Sequence, residues 1–316
     1  MWGGLVAGAV AIPIVSSDIY WTSVLTRILI DVLLAVSLRA IFLVGEFSLG
    51  HVGFMCLGAY TSALLALKVG LPVGLSLLAG GVLAGLVALV LGYPFMRVKG
   101  IYFVILTVMA SESIRSLAEN WQGLTGGIKG LAGIPSAGVL SIPGIGELDL
   151  GSFSGYYYLT LGIVIISLFI LYRLEKSRMG FTWIAIRESD KQAGAVGINV
   201  LRYKVVNFSI ACFFAGIAGA LLAHSEQTIS AQPGSTFGVM TTMYLLIYIV
   251  VGGKSRFSGP ILGAIALSLI VEFTRPMREY QPMLIGFIAI VIVMFIPEGL
   301  VSIPQKIVSW RSKIEE

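Results

Sequence analysis

Glu112 and Arg115 stand three residues apart inside an apolar run, in a chain where charged residues make up only 12% of 316. On a helix that spacing places an acid and a base on one face, where they can pair, and Glu119 continues the face. Charge is costly in lipid, so the pair belongs in a bundle interior or beside a wet cavity. It serves either as a structural tie or as the lining of a path that orients charged groups, and residue types leave both open. Arg27 and Asp31, four apart, read as a local pair near the outer interface. Arg39 and Glu272 are also embedded in apolar runs.

A second constellation is the glycine-dense stretch GEFSLGHVG, from Gly45 to Gly53. The apolar run after it, Phe54 to Leu67, has 14 residues. That is about 21 Å of helix, short of a bilayer core, so the polar stretch is expected to dip into the membrane. A comparable break runs from Gly252 to Pro260. Interrupted spans at matching places point to a transport path, which Ser48, Gly50, His51 and Gly53 would border. Alternatively, Gly50, Gly53 and Gly58, like the pairs Gly81/Gly85 and Gly259/Gly263, permit close helix packing. His51 and His224 have no carboxylate or cysteine at metal-ligand spacing, so no metal site is expected. A hydrogen-bonding role for His51 stands beside a proton relay. Gly253, Lys254 and Ser255 imitate the end of a phosphate-binding loop, but Tyr248 occupies the place of its first glycine. The chain is not expected to hydrolyse ATP or to be an enzyme, since no nucleophile, base and orienting group converge.

The elements that must position these residues are apolar. Hydrophobic residues reach 57% and mean hydropathy is +0.95, which places the chain among polytopic membrane proteins of all-α class. Apolar runs predict a transmembrane bundle of about ten spans, some short or discontinuous. They lie near 2–15, 22–44, 53–68, 73–95, 101–119, 155–172, 205–223, 238–252, 259–273 and 281–297. With the amino terminus inside, fourteen basic residues fall in inner loops and four (Lys68, Lys129, Arg275, Arg278) in outer ones. The inner set comprises Arg97, Lys99, seven in 173–204, Lys254, Arg256, Lys306, Arg311 and Lys313. This asymmetry places both termini in the cytoplasm and explains the net charge of +5 without nucleic acid. Tyr20, Trp21, Trp121 and Tyr156–Tyr158 are expected at the outer interface, Trp183 and Trp310 at the inner one. Residues 120–154, rich in Gly, Ser and Pro, read as an ordered extracytoplasmic surface, and 305–316 as a cytoplasmic tail. The opening Met1–Val15 lacks a basic lead and reads as a short span, not a signal peptide. Cys56 and Cys212 lie in apolar runs and read as packing residues.

The block 173–204 carries seven basic residues (Arg173, Lys176, Arg178, Arg187, Lys191, Arg202, Lys204) and three acids between apolar runs. After Arg178 and Gly180 it predicts a short helix around Trp183, Ile184, Ile186 and Arg187. A small-residue run then ends at Gly197, a glycine suited to a helix stop. Such a helix suits docking into a groove of a partner, or lying on the inner leaflet as an amphipathic anchor.

Four segments together resemble one family over nearly the whole chain. They are Phe47–Tyr60 (FSLGHVGFMCLGAY); Gly100–Gly127 with Glu112, Arg115, Asn120, Trp121, Thr125, Gly126 and Gly127; Ser177–Tyr203 with Ala185–Glu188 and Gly197–Asn199; and Val251–Ala264. The sequence resembles permease subunits of ABC importers for branched-chain amino acids, the M-type member of the paired permeases in particular. The resemblance implies alternating access in a bacterial or archaeal inner membrane. It also implies a second, related permease, two ATP-binding subunits that carry ATP and magnesium, and an extracytoplasmic solute-binding protein. It assigns ATPase contacts to Arg178, Gly180, Arg187, Glu188, Ala193 and Gly197, and a binding-protein face to Thr125, Gly126 and Gly127. Glu46–Phe47 and Lys254–Phe257 are less typical of the family. Related permeases move urea, short amides or organic anions, so the substrate stays open. The rival from another class is a stand-alone carrier or channel driven by an ion gradient, for which Asp31, Glu46, Glu112 and Glu272 would form charged relays. A non-transporting membrane scaffold is a third reading.

Overall fold

The computed structural model describes residues 18–142, 146–277, 280–296 and 299–302. The expected span 2–15 and tail 305–316, with Arg278, Lys306, Trp310, Arg311 and Lys313, lie outside the described residues. In chain order the helices are α1 (Ile19–Phe42), α2 (His51–Leu64), α3 (Val73–Phe95), α4 (Ile101–Asn120), α5 (Gln122–Thr125), α6 (Phe153–Glu175), α7 (Arg178–Glu188), α8 (Asp190–Ala195), α9 (Val200–Glu226), α10 (Val239–Gly252), α11 (Ser258–Phe273) and α12 (Gln281–Phe295). Strand β1 (Leu131–Ala132) pairs antiparallel with β4 (Thr228–Ile229), and β2 (Val139–Ile142) with β3 (Gly146–Asp149). The architecture is an all-α membrane bundle. Among the described residues, α3, α4, α6, α9 and the continuous segment His51–Val69 are long and apolar enough to span a bilayer, while α10, α11 and α12 are shorter.

Helix α9 is the hub, packed against α3, α2 and α1. Its middle is small: Ala211, Ala215, Gly216, Ala218, Gly219 and Ala220 are all buried. Lipid tails are as apolar as leucine, so close backbone approach holds such helices together. A Cβ on Gly58 of α2 would lie 2.2 Å from the Gly216 carbonyl oxygen, so that crossing admits only glycine. Phe54, Phe95 and Phe103 meet Phe208 edge-on, with centroids 5.5, 6.3 and 6.3 Å away. By contrast α4 is covered on one side only. Phe103, Thr107, Ser111 and Ala118 are buried, while Tyr102, Ile105, Met109 and Leu117 stand exposed.

Several expectations need correction. The span after the first glycine-rich break is not short: α2 begins at His51 and continues through a π-helical turn, Leu65–Val69, for 19 residues. Polar His51 and Lys68 are absorbed into it, and the irregular stretch is confined to 43–50. The charged block is not all loop. Its start completes α6, and its end begins α9, where the Asn199 side chain accepts from the Arg202 N–H. Trp183 is no interfacial anchor; it is 2% exposed against Leu43 and Val44. Tyr156 and Tyr157 are buried too, the Tyr156 hydroxyl donating to the Leu221 carbonyl at 2.6 Å.

Candidate coupling surface and membrane path

Ser48, Gly50, His51 and Gly53 come together where α2 begins, its two glycines pressed against α4. A Cβ on Gly50 would lie 2.5 Å from the Thr107 carbonyl oxygen, and one on Gly53 2.6 Å from the Ser111 Cα. The Leu49 N–H donates to the Thr107 hydroxyl at 3.2 Å. His51 is fully buried, with its Nε2 2.8 Å from the Ser37 hydroxyl. Gly50 and Gly53 therefore form a tight seam between α2 and α4, while His51 turns to α1 and Ser48 accepts from the Gly50 N–H.

On α4, one turn beyond Ser111, the expected pair is present and enlarged. Arg115 Nε donates to Glu112 at 2.8 Å, and Nη1 donates to Glu119 at 2.8 Å and to the Ala231 carbonyl at 2.6 Å. Arg115 thus pins the chain between α9 and α10 onto α4. The Glu112 side chain stays one-third exposed, on the least covered of the five long spans.

Thr125, Gly126 and Gly127 form a rigid turn. The Thr125 hydroxyl lies 2.6 and 2.7 Å from the carbonyls of Ala118 and Trp121. Gly126 and Gly127 adopt φ of 76° and 62°, a backbone that glycine accepts without strain. Thr125 and Gly127 are buried, while Trp121, Gln122, Gly123, Gly126, Ile128 and Lys129 are exposed.

The other end carries α7 and α8. The expected single helix is two, because Ser189 turns extended and its side chain accepts from the Gln192 N–H at 3.3 Å, capping α8. The stop at Gly197 is present, at φ 86° with the Ile198 N–H bonded to the Ala193 carbonyl. Gly180, Trp183, Ile186 and Ala193 turn into the bundle. Gly180 and Ala193, expected as partner contacts, are thus inward positioning residues: a Cβ on Gly180 would lie 2.0 Å from the Glu175 carbonyl oxygen. Arg178, Arg187, Glu188 and Gly197 face outward. So do Phe181, 62% exposed, and Val196, 77% exposed, which sequence reasoning missed. For Phe181 the signal was positional: Phe181, Ala185 and Glu188 follow helical spacing opposite Gly180, Trp183 and Ile186.

Two buried ion pairs tie this end together, and neither was foreseen. Arg39 grips Glu175 through two hydrogen bonds of 2.6 and 3.0 Å. Lys204 Nζ donates to Glu46 at 2.7 Å and Asp190 at 3.1 Å, and Lys99 joins Asp190 at 2.9 Å. Burial opposes ionisation of Asp190, but the Lys99 and Lys204 ammoniums outweigh it and hold its carboxyl below the usual range.

A multi-span helical bundle with a helical pair seated at one end is the architecture of a multi-pass membrane protein. The family of branched-chain amino acid transport system permease components matches residues 20–296, and this chain belongs to it. The high-affinity branched-chain amino acid transport system permease protein LivM of Salmonella typhimurium is 29% identical over 312 residues, covering 92% of this chain and 73% of the relative. LivM of Escherichia coli is 30% identical over 293 residues, 87% of this chain and 68% of the relative. The guanosine ABC transporter permease protein NupQ of Bacillus subtilis is 27% identical over 209 residues, 60% of this chain and 63% of the relative. No solved structure matches the chain. The chain is accordingly an ABC-type permease subunit, a multi-pass protein of the inner membrane.

Proposed function

We propose that this subunit moves a branched-chain or related apolar amino acid inward by alternating access, powered by separate ATPase subunits. The observation that carries the reading is the two-sided α7–α8 pair. Its inner side is seated on the bundle through Trp183 and Ile186, and its outer side offers Phe181, Arg187, Glu188 and Val196. An apolar anchor flanked by charge suits a groove on a partner. In this reading ATP and magnesium reside on that partner, and the α7–α8 end is cytoplasmic.

The path follows the uncovered side of α4, completed by a second, related permease. Tyr102, Ile105 and Met109 offer apolar surface to an aliphatic side chain, and the half-open Glu112 offers a carboxylate to an ammonium group. Arg115, spent on two acids and a carbonyl, positions Glu112. Gly50 and Gly53 form the seam that moves as the path opens, with Ser48 and His51 bordering it. Trp121, Gly126 and Ile128 receive the solute-binding protein, with Thr125 and Gly127 holding their turn.

The test is capture of ATPase subunits and ATP-driven uptake in the assembled transporter carrying Arg187→Ala and Glu188→Ala. Both are expected to fall. Full retention with full uptake would remove those side chains from the interface.

A further inference from the structure

Two direct contacts from the α7–α8 pair and one ion-pair bridge through Lys204 converge on one short stretch of chain, the irregular segment Leu43–Gly50. Trp183 of α7 packs on Leu43 and Val44. The last turn of α7 lies across Gly45, where a Cβ would meet Arg187 Cγ at 3.2 Å and Arg187 Cα at 3.4 Å. Asp190 of α8 reaches Glu46 through Lys204. Beyond these contacts the same segment runs into Leu49 and Gly50, whose backbones nest against Thr107 of α4.

We propose that Leu43–Gly50 is the linkage that carries motion of the α7–α8 pair to the α2–α4 seam, with Lys204 as the positioning residue that latches it. The proposal rests on the coupling reading above. Lys204 and Glu46 keep only 5% and 8% of their side chains exposed. A buried ion pair holds helices no better than well-packed apolar residues, and its attested use is to specify one arrangement. The N–H groups of Leu43, Val44 and Gly45 still bond back to α1. After Gly45, at φ 81°, the chain from Glu46 to Gly50 lies outside any helix and can change shape without breaking a span. Beside the latch a cleft of about 390 Å³, lined by Gly45, Glu46, Lys99, Arg187, Asp190 and Lys204, gives the charges room to part and take up water.

The experiment uses the complete transporter in vesicles and reads ATP hydrolysed per substrate taken up. Lys204→Met alone strands Glu46 and is expected to impair assembly. The paired variant Glu46→Gln/Lys204→Met removes both charges and leaves Asp190 its Lys99 partner. It is expected to melt and to retain ATPase subunits as wild type does, yet to hydrolyse about tenfold more ATP per substrate, within the span by which coupling residues act. Lys204→Arg, which keeps the charge, is expected to stay within about threefold of the wild-type ratio. A Val196→Cys cross-link to an ATPase subunit checks the underlying reading separately. A cross-link together with a wild-type ratio in the paired variant overturns the linkage alone. Absence of the cross-link in every background overturns the coupling reading beneath it.

Discussion

Arg39 on α1 and Glu175 at the end of α6 meet as a two-pronged ion pair, and Arg39 Nε also donates to the Lys254 carbonyl at 3.1 Å. One guanidinium thereby joins α1, the helix feeding α7, and the break between α10 and α11. Its five N–H groups in a planar fork suit this three-way role, which a lysine could not reproduce.

Because Arg39 is 3% and Glu175 14% exposed, removing one partner leaves the other charged and buried. Arg39→Met is expected to lose about 3–5 kcal/mol. Arg39→Met/Glu175→Leu should recover most of it. Thermal unfolding of the purified subunit compares the two; equal losses would show that the pair is not coupled.

Trp183 and Phe181 sit two residues apart with opposite duties. Trp183→Ala empties a buried site and is expected to cost about 3–5 kcal/mol, with faster tryptic cleavage at Arg178 and Arg187. Phe181→Ala removes an exposed ring and should change stability by no more than about 0.5 kcal/mol. It should nevertheless weaken ATPase capture. Full capture by a stably folded Phe181→Ala variant would deny the ring a place in the interface.

Attachment of α8 has a defined pH window. Asp190 is held below the ordinary 3.8, so its contribution is complete above that value and lost as pH falls through its lower folded value. Hydrogen bonding to Asp190 raises Lys99 above the ordinary 10.5, so that contribution is complete below 10.5 and lost as pH rises through the folded value. A spin label at position 196 should therefore report constant mobility from about pH 5 to about pH 9, with release only outside it. Asp190→Asn should be mobile throughout. An unchanged signal in that variant would remove Asp190 from the attachment.

At the α2–α9 crossing a single methyl group is expected to be felt. Gly58→Ala would place its Cβ 2.2 Å from the Gly216 carbonyl oxygen. The helices must separate, at an expected cost of about 1–3 kcal/mol. Gly74→Ala, at a glycine with nothing within 4 Å, should be near neutral. Equal melting temperatures for the two variants would contradict the packing described.

Much of the fold was legible locally. Apolar runs located nine of the described helices, Gly197 announced its stop, and the three-residue spacing of Glu112 and Arg115 announced their pairing. The site was legible only in part. Sequence spacing could not say that Ala193 turns inward, because the small-residue run has no strong apolar face to orient it. Nor could it show that His51 begins a full-length span, since a polar residue is accepted there only because Ser37 lies ready to hydrogen-bond it.

By itself the sequence determined a lipid-embedded helical bundle with a charged segment at one end, because hydropathy and helix stops are properties of neighbouring residues. Only the tertiary structure decided that Lys204 finds Glu46, 158 positions away, and that Trp183 and Arg187 meet the segment ahead of α2 while Asp190 is tied to it through Lys204. Such partnerships depend on how closely helices approach. That distance is set by small residues such as Gly58 and Gly216, whose meeting no local pattern records.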